Sequence, residues 1–66
     1  MELIINGEKK IFDDNISLQN IIDLLKIEDK VMALSINMQI IKKENWSKIT
    51  PKNNDNIELL QFVGGG

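Results

Sequence analysis

Leu18, Ile21, Ile22 and Leu25 recur at i, i+3, i+4 and i+7, with Gln19, Asn20, Asp23 and Lys26 opposite them. This is the spacing of one short amphipathic helix. Ser17 stands just before it as a good N-cap, because its hydroxyl can accept from the free amides of the first turn. In a chain of 66 residues there is room for one domain, and folding buries only about 60% of the unfolded surface. A single apolar stripe among short apolar runs that read as strands therefore has one place to go, the face of a sheet. Leu24 falls off the stripe and has no assigned place.

The remaining apolar runs supply that sheet. Glu2 to Asn6 alternates, with Leu3 and Ile5 on one face and Ile4 on the other. Asn6-Gly7 readily takes the positive φ angles of a tight hairpin turn, so Glu8 to Phe12 returns antiparallel. Asp13-Asp14-Asn15 breaks that strand. After the helix and a charged exit from Lys26 to Lys30, Val31 to Ile36 reads as a central strand. Met32, Leu34 and Ile36 share one of its faces and Ala33 and Ser35 the other. Asn37-Met38-Gln39 turns the chain into a brief strand at Ile40-Ile41, closed by Lys42-Lys43-Glu44. Lysines at an edge discourage unwanted strand pairing. Trp46 is expected to close one end of the core with its indole N–H on a polar group. Thr50-Pro51 and the turn formers from Lys52 to Asn56 lead into a last strand, Ile57 to Val63.

Strand, strand, helix, strand, short strand, irregular turn, strand is the order of an α+β β-grasp fold. It has a mixed sheet of four to five strands, the first and last paired in parallel at the centre, and one helix across one face. The helix should cover Leu3, Ile5, Leu34, Ile36, Ile57 and Leu59. Ile4, Leu60 and Phe62 lie one residue out of phase and fall on the open face, where together they would make an apolar patch for partner docking. Scattered surface apolar residues are also common, and this reading stays open beside the patch.

The domain spans 1–63 and the glycine tail 64–66. Gly64-Gly65-Gly66 follows a strongly apolar strand directly. Glycine has no Cβ, so the run can lie in a slot too narrow for any side chain. Extended, three residues reach roughly 10 Å. A flexible tail of that reach can carry the carboxylate of Gly66 into a partner's active site while the body stays outside. A frayed end would also be glycine-tolerant, but frayed ends are usually mixed and polar.

Composition excludes several functions. The sequence has no Cys and no His, hence no thiol nucleophile, no imidazole base and no thiolate or imidazole metal site. Ten acidic and eight basic residues give a net charge of −2, and every basic residue is Lys. Nucleic-acid binders usually show a basic patch with Arg forks, so that class is disfavoured. No apolar run suits a signal sequence or a membrane span. The expectation is a cytoplasmic protein, monomeric when free, that works with other proteins rather than as a stand-alone enzyme.

Several segments together resemble the ThiS family, the bacterial sulfur carriers of thiamin biosynthesis with a ubiquitin-like β-grasp fold. They are Ile5-Asn6-Gly7-Glu8, Ser35-Ile36-Asn37, Glu44-Asn45-Trp46, Asp55-Asn56-Ile57-Glu58 and the ending Val63-Gly64-Gly65-Gly66. The ending is the specific element. Family members often carry Gly after the Asn of the third-strand turn and Asp-Gly-Asp before the last strand, where this chain has Asn37-Met38 and Asn54-Asp55.

The resemblance implies a chemistry for the tail. A terminal carboxylate is an unreactive anion at neutral pH. In the family a ThiF-type adenylyltransferase uses MgATP to convert it to an acyl-adenylate, and sulfur from a persulfide donor replaces AMP. Gly66 would then carry a thiocarboxylate that gives its sulfur to a ThiG-type thiazole synthase, with Gly64 and Gly65 as the spacer. No catalytic residue, metal or bound cofactor is implied for the carrier itself. Alternatives are the small subunit of molybdopterin synthase, a ubiquitin-like modifier joined to lysines through Gly66, and an interaction domain with an inert tail.

Overall fold

The computed structural model describes residues 1–61. Their elements in chain order are β1 (Glu2–Ile5), β2 (Glu8–Ile11), α1 (Leu18–Leu25), a 3-10 turn at Glu28–Lys30, β3 (Val31–Ile36), β4 (Gln39–Ile41), a 3-10 turn at Lys43–Asn45 and β5 (Asn56–Gln61). The strands form one five-stranded mixed sheet in the order β2-β1-β5-β3-β4. β1 and β5 run parallel at its centre, through Ile4↔Asn56 and Ile5↔Ile57. The other three pairings are antiparallel. This is the β-grasp arrangement expected from the order of the elements, at the upper end of the expected strand count.

The helix forms where its caps permit. Ser17 Oγ accepts from the Asn20 amide at 3.1 Å, and Lys26 closes the C-terminus in the left-handed region at φ 59°. Two further amides at the helix start are satisfied from a distance, Leu18 by the Ile49 carbonyl and Gln19 by that of Trp46. The irregular segment after β4 thus holds the helix down as well as connecting strands. Leu18, Ile21 and Ile22 are buried against Leu3, Ile5, Leu34, Ile57 and Leu59, with Leu25 and Ile36 packed at the margin. Trp46 is 1% exposed and its indole N–H donates to the Ile41 carbonyl at 3.0 Å. Buried this fully, the ring offers no stacking surface to a ligand.

Two expectations need correction. Met32 does not share the covered face with Leu34 and Ile36. A bulge between Val31 and Ala33 shifts the β3–β5 register, so Val31 packs against the core and Met32 is 59% exposed. One extra residue in a strand is enough to change which side chains face inward. The turn after β3 also closes in two residues rather than three, since Gln39 already pairs with Ile36. Leu24, unplaced in the sequence, is exposed on the outer side of α1. Among the described residues no helix is long and apolar enough to cross a membrane.

Candidate functional site

The tail residues Gly64, Gly65 and Gly66, and Phe62 of the docking patch, lie outside the described residues. What the structure places is the end of the strand that leads to them. β5 is central, with β1 on one side and β3 on the other.

β1 ends at Ile5 while β5 continues to Gln61. Beyond Ile57 the β1 side of β5 would lack a partner, and an unpaired peptide group beside the core is costly. Asn6 supplies one. Its backbone amide donates to the Ile57 carbonyl at 3.0 Å. Its side chain then acts as a further peptide unit: Oδ1 accepts from the Leu59 amide at 2.7 Å, and Nδ2 donates to the Leu59 carbonyl at 3.3 Å. The geometry depends on the turn, where Asn6 and Gly7 take φ 50° and 84°. Asn-Gly marks the hairpin in the sequence, but the reach of its amide to a residue 53 positions away does not show in a local motif.

On the open face, Leu60 is 61% exposed and Ile4 is half-buried. They do not adjoin. Ile4 is paired with Asn56, four residues before Leu60, a separation of about 13 Å along a strand, and Glu58 lies between them on the same face. Leu60 instead neighbours Ala33 across the β3–β5 ladder, and Ser35 pairs with Ile40 on the far side of β3. The result is a shallow depression of about 250 Å³ whose lining includes Ala33, Ser35, Ile40, Glu58 and Leu60. Small residues make its floor, and Leu60 and the 69% exposed Ile40 flank it. Ile40 was absent from the sequence-based patch. The signal for it was present: a two-residue Asn-led turn after Ile36 puts Ile40 opposite Ser35 and so on the open face.

Among the described residues no charged or polar residue is buried, and no three His, Cys, Asp or Glu side chains gather where they could hold a metal ion. Three exposed aspartates, Asp13, Asp14 and Asp23, line a separate depression with Ile16, Asn20 and Leu24. None of its lining residues belongs to β5.

A model of the ThiS family matches residues 2–66, the tail included. The chain belongs to the ThiS family. A crystal structure of the thiamine biosynthesis protein ThiS from Geobacter metallireducens shares the fold at a TM-score of 0.80 and 27% identity, with both chains covered in full. The sulfur carrier protein ThiS of Bacillus subtilis is 32% identical over 53 residues, which is 80% of each protein. A thiazole synthase of Paramagnetospirillum magneticum is 27% identical over all 66 residues, and the chain spans one-fifth of that protein's length. Membership in the ThiS family agrees with the β-grasp architecture, the central position of β5 and the sequence that follows it.

Proposed function

We propose that this ThiS-family chain is a sulfur carrier, a co-substrate rather than an enzyme, whose Gly66 carboxylate is activated and converted to a thiocarboxylate for thiazole formation in thiamin biosynthesis. The observation that carries the reading is the extent of the family match, which runs through the whole domain and the glycines to Gly66.

The chemistry follows from the unreactivity of a carboxylate. A ThiF-type adenylyltransferase brings MgATP; a Gly66 oxygen attacks the α-phosphorus, pyrophosphate leaves, and an acyl-adenylate results. The terminal sulfur of a persulfide attacks the carbonyl carbon and AMP leaves. Cleavage of the resulting S–S bond by a thiol frees the thiocarboxylate. Every acid–base and metal function in this sequence is assigned to the partner. The carrier contributes Gly64 and Gly65 as a narrow spacer, and a folded body that docks. A ThiG-type thiazole synthase is the acceptor that the similarity to a longer thiazole synthase supports: a protein of that name contains a stretch like this whole chain, as expected if carrier and synthase work in contact.

Docking is assigned to the open face, with Leu60 the exposed member of the expected patch among the described residues and Ile40 its neighbour across the depression. The proposal is tested by loading the carrier with labelled sulfur and offering it to a thiazole synthase and, separately, to a molybdopterin synthase large subunit. Label in a thiazole product supports the reading. Label passing only to the pterin product, or Gly66 found in isopeptide linkage to lysines, would replace it.

A further inference from the structure

Asn6-Gly7 is the one Asn-Gly step in the sequence, and the structure gives it an unusual setting. An Asn side chain can be attacked by the backbone nitrogen of the following residue. That nitrogen bonds to the side-chain carbonyl carbon, ammonia leaves and a five-membered succinimide forms. Water then opens the ring to aspartate or to isoaspartate. No oxidant or reductant is involved. A following glycine hinders the attack least, because it has no Cβ. At Gly7 the surroundings add no hindrance: a Cβ built there would meet nothing within 4 Å, and both residues of the step are exposed.

The fold opposes the same attack through the Leu59 clamp. With Oδ1 held at 2.7 Å and Nδ2 at 3.3 Å by one residue of β5, the side-chain carbon cannot swing toward the Gly7 nitrogen until both bonds open. Neither product can restore both bonds, although an aspartate could still accept from the Leu59 amide. An aspartate at position 6 has acceptors only, so one carboxylate oxygen would face the Leu59 carbonyl where a donor stood. An isoaspartate would add an atom to the turn and break the two-residue link between Ile5 and Glu8, which are paired in register.

We propose that Asn6 is a site of spontaneous deamidation, gated by opening of its clamp on Leu59, and that isoaspartate formation frees Leu59 on the β1 side of β5 just before the segment that leads to the tail. Asn37 is an internal control. It too sits at positive φ in a two-residue turn, and its amide is held, with Oδ1 accepting from the Asn56 amide at 2.9 Å and Nδ2 donating to Asp55 at 3.0 Å. Met38, however, replaces the glycine.

The test is to age the purified protein at mildly alkaline pH, native and in denaturant, and to follow mass, fragmentation and isoaspartate content. In denaturant, conversion should appear at Asn6 first. In the native protein it should be slower by about tenfold or more, the factor set by about 1.4 kcal/mol of clamp opening. Equal rates in the two states would overturn the gating, and conversion at other asparagines before Asn6 in denaturant would overturn the site. Hydrogen exchange on the isoaspartate fraction reads the consequence. The Leu59 amide should exchange about tenfold faster while that of Ile21, bonded to the Ser17 carbonyl at 3.0 Å, keeps its rate. An unchanged Leu59 amide would show that the modification leaves β5 clamped.

Discussion

The two faces of the sheet are made from the same strands, residue by residue in alternation, yet they do different work. On the covered side Leu3, Ile5, Leu34, Ile57 and Leu59 are buried under α1. On the other side Leu60 and Ile40 stand exposed around a floor of Ala33 and Ser35. On the proposed reading, Leu60 and Ile40 are left in water for contact with a partner rather than for stability. The covered face should therefore govern whether the protein folds, and the open face what it meets.

The largest expected effect is on the covered side. Leu34→Ala removes a fully buried side chain from a central strand and should cost about 2–5 kcal/mol, measured by urea denaturation. For a domain whose total stability is of the order of 5 kcal/mol, part of the population should be unfolded without denaturant. A loss well below 1 kcal/mol would mean that the core does not depend on this face as described.

Next comes the seam where the faces meet the tail. Asn6→Ala deletes both side-chain bonds to Leu59 and leaves its amide and carbonyl without that partner. The expected loss is about 1–3 kcal/mol, with Leu59 losing more exchange protection than the helix. A smaller and opposite effect is expected at the second hairpin. Met38 holds φ 72° while 86% exposed, a conformation that costs a side-chain-bearing residue about 1–2 kcal/mol. Glycine takes it freely but loses more entropy on folding, so Met38→Gly should raise stability by about 0.5–1 kcal/mol.

The smallest effect on stability should come from the open face. Leu60→Glu is expected to change it by no more than about 0.5 kcal/mol, while lowering the rate of activation by the adenylyltransferase at limiting carrier concentration. Unfolding of this variant would break the comparison between the faces, and undiminished activation would remove Leu60 from the docking surface.

Much of the fold was legible because the informative signals were local. The helical stripe from Leu18 to Leu25, the Asn6-Gly7 turn and the alternation in β1 and β5 each settle a face or a direction within a few residues. What escaped depended on register between distant strands. The bulge that turns Met32 outward, the placement of Leu60 beside Ala33 and the wide spacing of Ile4 from Leu60 follow from how β1, β3 and β5 are aligned. The Asn6 clamp escaped for a similar reason, since a side chain standing in for a backbone partner leaves no periodic trace. For the proposed site, the glycine run was conspicuous in the sequence, whereas the depression between Leu60 and Ile40 took shape only once the sheet was assembled.

The central claim, that this chain carries sulfur on its last residue, is tested most directly by intact mass. The protein is incubated with a ThiF-type adenylyltransferase already shown to be active on another carrier, with MgATP and a persulfide donor, and then fragmented. The account predicts a mass gain equal to exchange of one oxygen for one sulfur, located at Gly66. An unchanged mass under those conditions would contradict it.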